Sequence, residues 1–126
     1  MIATQYIPGV CNIGEAEIKQ RQRVGWIGLV VTIAAWGLLT FLPVPAVWKL
    51  LLFFPAAMSA SGFIQAFTSF CAGFGMRGVF NFGTQLYKTD NVTQASFRAK
   101  DKRKAQLIFV YSILIGLVVA YLAFLL

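Results

Sequence analysis

The chain has 126 residues, 59% of them hydrophobic and 12% charged, with no histidine and a net charge of +7. Its mean hydropathy is +0.74. A soluble domain is nearer half apolar and a quarter charged, so this composition places the chain among membrane proteins and leaves room for one domain. It also argues against chemistry that needs imidazole or a buried carboxylate. The four acids, Glu15, Glu17, Asp90 and Asp101, all lie outside the apolar blocks, and two cysteines alone make a poor metal set. The sequence therefore reads as non-enzymatic, with no cofactor and no metal.

Residues 1–23 hold five charges and no apolar core of signal-peptide length, so the first membrane helix is expected to be retained. Asn12 and Glu15 have capping-box spacing after a Pro8-Gly9 turn. Glu15–Lys19 and Glu17–Arg21 are i,i+4 pairs in the favourable order. A solvated helical lead-in is expected to run into the first span, residues 24–42, which carries no charge in 19 residues.

Pro43-Val44-Pro45 cannot continue a helix, so spans one and two are expected to form a tight hairpin. The second span is assigned to residues 46–72, with Pro55 inside it as a site for a kink. At 100° per residue Ser61, Gln65, Thr68 and Ser69 share one face of that helix. Phe63, Phe67, Phe70 and Phe74 share the opposite face, which lipid would cover. The polar face is expected to pack against another helix, with Gln65 hydrogen-bonding across the contact, or to line a polar path.

Residues 73–106 form a basic loop, helical again from about residue 92 with Asn91 as its cap. Residues 107–126 form the third span, 20 uncharged residues. Ser112, Gly116 and Ala120 recur at spacing four, and Gly25, Gly28, Thr32 and Ala35 share one side of the first helix. Both sets suit close helix packing.

Ten of the eleven basic residues fall before the first span or between the second and third; Lys49 is the exception. That asymmetry predicts a cytoplasmic N-terminus, an outward C-terminus and a plasma membrane, most simply a bacterial inner membrane. Arg77, Lys88, Arg98, Lys102, Arg103 and Lys104 are candidates for contact with anionic headgroups or a partner. Phe80 and Phe82 would anchor the loop in the interface or dock a partner. No base-reading motif accompanies the charge, so nucleic acid is not expected. Cys11 and Cys71 lie at the same end and are a possible thiol pair, although neither belongs to a CxxC motif.

The whole reads as an all-α integral membrane protein of three transmembrane helices, with helical cytoplasmic extensions before the first and third. Its expected role is an accessory or scaffold subunit packing against other membrane proteins. The alternative is a homo-oligomeric channel or transporter lined by the polar face of the second helix. A thiol-dependent membrane enzyme is the third reading.

Overall fold

The structure is a computed structural model and describes residues 5–126. Three of its helical stretches are long and apolar enough to cross a membrane. Helix α1 (Glu15–Phe41) has 27 residues, about 40 Å at 1.5 Å per residue, so the charged lead-in and the first span are one rod. Glu15 and Glu17 sit in its first turn, favourably placed on the helix dipole. Gly14 is the N-cap and no side chain caps the helix, because Asn12 is engaged elsewhere.

The Pro43-Val44-Pro45 turn closes the expected hairpin, with Val44 N–H donating to the Leu42 carbonyl at 2.9 Å. The chain then winds as a 3-10 helix over Ala46–Leu52, and helix α2 (Phe53–Thr68) begins only after it. Pro55 accounts for the change. It has no N–H for the Leu51 carbonyl and its ring crowds that carbonyl, so α winding cannot run through from residue 46. The Leu51 carbonyl accepts from Phe53 N–H instead.

Helix α2 also stops short of residue 72. Ser69 takes the left-handed conformation, φ 56°, with Ser69 N–H bonding the Ala66 carbonyl and Phe70 N–H the Gln65 carbonyl. This is a Schellman closure with serine where glycine is usual. A short helix α3 (Ala72–Arg77) follows and ends at Gly78, φ 70°. Strands β1 (Val79–Phe80) and β2 (Asp90–Asn91) pair antiparallel, Val79 opposite Asn91. Helix α4 (Ala95–Leu125) then runs 31 residues, about 46 Å. Asn91 lies in β2 and does not cap α4. Arg98 reaches back to the Val92 and Thr93 carbonyls, at 2.9 Å each.

Helix α2 is the centre of the bundle, with α1 on one side and α4 on the other; α1 and α4 scarcely touch. Small residues set the α1–α2 approach. A Cβ on Gly62 would lie 2.5 Å from the Gly25 nitrogen, and one on Gly28 would lie 2.8 Å from Ser59. Ser59 Oγ donates to the Gly25 carbonyl across the contact at 2.7 Å. On the other side Ser112, Gly116 and Ala120 are buried, and a Cβ on Gly116 would meet Ala57 at 2.9 Å. Close backbone approach of this kind is how helices associate where lipid removes the hydrophobic drive.

Two apolar clusters fill the basic end. One gathers Ile13, Ile18, Ala66, Cys71 and Phe74; the other gathers Phe70, Ala72, Ala105 and Ile108. Phe70 and Phe74 are therefore interior, not lipid-facing: the break at Ser69 turns them off the α2 face that Phe67, 86% exposed, still occupies.

Candidate functional site

The densest chemistry lies at the basic end, where four segments meet around α1. Glu17 and Arg21 are one turn apart, joined at 3.1 Å, and both are buried. The expected solvated pair is thus an interior one, because the α2–α3 turn and the 81–87 loop fold over it. Burying an ion pair is costly unless the remaining valences are filled. Here they are. Glu17 Oε2 accepts from Asn81 Nδ2 at 3.1 Å and from the Tyr87 N–H at 2.8 Å. Arg21 Nη2 donates to Cys71 Sγ at 2.9 Å, and its guanidinium lies over the Phe74 and Tyr87 rings. Asn12 clamps the same turn, donating to the Cys71 carbonyl at 3.1 Å and accepting from its N–H at 2.6 Å. Among the described residues no buried side-chain nitrogen or oxygen lacks a partner.

A second polar contact holds the N-terminal segment to α4. Asp101, wholly buried, accepts from Tyr6 Oη at 2.5 Å and from the Gly9 N–H at 2.7 Å. Burial, reinforced by the bond to Asp101, raises the Tyr6 pKa above its ordinary value. The neutral phenol is thereby favoured in the folded state. The stability it contributes is complete below the ordinary tyrosine pKa and is lost as pH rises beyond it.

The candidate stripe on α2 is spent largely on its own helix. Gln65 Nε2 donates to Ser61 Oγ at 2.8 Å and to the Ser61 carbonyl, while Gln65 Oε1 accepts from the Ala72 N–H at 2.9 Å. Gln65 therefore bridges the α2–α3 break instead of reaching another membrane helix. Thr68 Oγ1 returns to the Ile64 carbonyl at 2.7 Å, and the buried Ser69 offers its carbonyl to the Asn12 and Ile13 N–H groups. The side of α2 that meets α1 carries Ser59, Gly62 and Ala66. Ser112 Oγ bonds the Ile108 carbonyl one turn back.

Phe80 stacks on Tyr6 at 4.8 Å, and Phe82 tilts against Phe80 at 6.3 Å while covering Gly14. Both rings are packed against the N-terminal segment. Among the basic candidates Arg98 is fixed by its two carbonyl bonds, and Arg77 lies 5.3 Å from the Phe74 ring. Lys88, Lys102 and Arg103 are exposed, and Lys104 is half-buried.

Cys11 and Cys71 are both free and buried. Cys11 Sγ donates to the Gln5 carbonyl at 3.3 Å, and burial raises its pKa above the usual 9.0. Thiolate is the reactive form, so Cys11 is expected to react slowly with maleimide at pH 7–9. Cys71 is shielded by Arg21 and its 5% exposure. In mild detergent neither thiol is expected to gain a maleimide adduct in the time that dodecyl sulfate gives two; intact-mass measurement reads the count. Rapid native labelling of Cys71 would show the turn to be open.

A third feature is apolar. Because α1 and α4 scarcely touch, a groove of about 470 Å³ runs along α2, walled by Ile33, Phe63, Ile115 and Val119 over a floor of Ala56 and Ala60. A second hollow of about 230 Å³ shares Thr32, Ile33 and Val119 with it and extends to Trp36 and Leu126. No three His, Cys, Asp or Glu side chains converge as a metal site among the described residues. No family model matches this sequence, and no curated protein or solved structure matches it either.

Proposed function

We propose that this chain is a small, non-enzymatic accessory or scaffold subunit that packs against other membrane proteins. In this reading the basic end faces the cytoplasm of a bacterial inner membrane and the C-terminus faces outward. The supporting observation is the groove along α2. It is apolar and alanine-floored, and it is bounded by the two helices that fail to close over it. A transmembrane helix of about 10 Å diameter, contributed by a partner, suits such a surface. The polar groups that a catalytic or conducting role would use are turned inward and satisfied by one another.

The test is purification of the tagged protein from its native membrane in mild detergent, followed by native mass spectrometry. The expected result is a stoichiometric complex with another polypeptide, lost when Ala60→Phe fills the groove floor. A defined homo-oligomer without a partner would overturn the accessory reading. It would favour the channel or transporter alternative, to be pursued by flux measurements in liposomes.

A further inference from the structure

A concave pocket of about 220 Å³ opens between α3 and α4 at the basic end. Its charged lining residues are Arg77, Arg98 and Lys102, and none of the four acids lines it. Three of those acids are spent elsewhere: Glu15 on Lys19, Glu17 on Arg21, and Asp101 on Tyr6 and Gly9. Two of the three cations are held in place. Arg98 Nη1 makes both bonds to the Val92 and Thr93 carbonyls, which orients the guanidinium and leaves Nε and Nη2 without a protein acceptor among the described residues. Arg77 is braced on the Phe74 ring at 5.3 Å.

The backbone is shaped to bring them together. Gly78 has φ 70°, and a Cβ there would stand 2.8 Å from Arg98 Cδ, so glycine takes this left-handed turn without strain and leaves the arginine room to lie across it. A Cβ on Gly75 would stand 2.9 Å from the Asp101 carbonyl, so glycine also lets α3 press onto α4. Arg98 and Lys102 are one turn apart on α4, just before its uncharged stretch begins at residue 105. With α4 spanning a bilayer, Lys102 falls in the headgroup layer, which is about 5–8 Å deep on each side, and Arg98 lies one turn further out at its aqueous edge.

We infer that this pocket is a binding site for the oxyanion of a phosphate ester, with Arg77 and Arg98 donating N–H groups and Lys102 adding charge. Guanidinium groups match phosphate geometry, and a cation at the membrane surface favours anionic lipid. The same chemistry is offered by a phospholipid headgroup and by a soluble phosphate. The inference needs α4 to cross the membrane but does not depend on the accessory role, so either can fail alone.

The experiment uses the full chain in phosphatidylcholine nanodiscs doped with phosphatidylglycerol. Native mass spectrometry counts the lipid retained on ejection. Phosphatidylglycerol is expected to be retained over phosphatidylcholine, and retention is expected to fall about fivefold for each of Arg77→Gln and Lys102→Gln. Lys100→Gln and Lys104→Gln remove the same charge from the opposite side of α4 and are expected to change it less than about twofold. Circular dichroism checks that each variant keeps its helix content. An equal loss from both pairs would mean diffuse attraction by the basic surface and would overturn the site, as would no preference for phosphatidylglycerol together with no effect of inorganic phosphate. Displacement of the lipid by millimolar inorganic phosphate would assign the pocket to soluble phosphate-bearing ligands. Failure of phosphate to displace retained lipid would assign it to the headgroup.

Discussion

Gly62→Ala is expected to destabilise the bundle by about 2–4 kcal/mol, while Gly37→Ala on α1 leaves it unchanged or slightly firmer. The two substitutions add the same methyl group to membrane helices and differ only in what it meets. At Gly62 the new Cβ would be 2.5 Å from the Gly25 nitrogen and 2.7 Å from the Arg21 carbonyl. Both are backbone atoms and cannot rotate away, so α1 and α2 must separate. Separation also stretches the Ser59 to Gly25 bond of 2.7 Å, whose loss accounts for about 1 kcal/mol of the total. At Gly37 nothing lies within 4 Å, and only the better helix propensity of alanine is felt. Unfolding in mixed micelles of mild detergent and dodecyl sulfate measures both. Equal stability of the two variants would mean that the α1–α2 contact is looser than described.

Glu17→Leu is expected to cost about 3–5 kcal/mol, the range for breaking a buried ion pair from one side. The loss is not a single bond. Arg21, Asn81 Nδ2 and the Tyr87 N–H all direct donors at this carboxylate. Without it a buried guanidinium keeps its charge and its desolvation cost but not its counter-ion. The double variant Glu17→Leu/Arg21→Met is expected to be less destabilised than the sum of the single ones, because it removes the charge along with its partner. Strict additivity in the same micelle assay would show the pair to be independent surface charges. The exposed Glu15–Lys19 pair, with the same spacing, provides the contrast: Glu15→Ala is expected to change stability by no more than about 0.5 kcal/mol.

That contrast shows where sequence reading reaches its limit. Glu15–Lys19 and Glu17–Arg21 have the same spacing and chemistry, and both form. What separates them is the 81–87 loop, which covers one pair and leaves the other in solvent, and no local pattern encodes which side a distant loop will choose. The three apolar spans and the proline hairpin were legible because periodicity and proline chemistry act over a few residues. The second span reads as one helix because serine does not announce a left-handed turn as glycine does; one residue, Ser69, sends Phe70 and Phe74 inward. Gln65 carried a signal, a polar amide in an apolar run. The signal could not say that its partner would be the Ala72 N–H on the far side of that turn. Asn12 reads as a helix cap and Asn81 carries no local signal; each becomes a clamp only through contacts 59 and 64 residues away.

The Asp101 contact ties residues 6 and 9 to a helix made more than ninety residues later. Synthesis runs from the N-terminus, so residues 6 and 9 must wait for α4 before they have a place to bind. Until then Tyr6 and the Gly9 N–H are solvated, and Glu17 waits in the same way for residues 81 and 87. Until α4 is made, the basic end of the α1–α2 hairpin lacks these partners and stays open to proteases. A nascent chain arrested before residue 95 should therefore expose residues 5–14 to cleavage, and completion of α4 should close them. Native fastening of Tyr6 and Gly9 thus reports that helix α4 has been made and has docked.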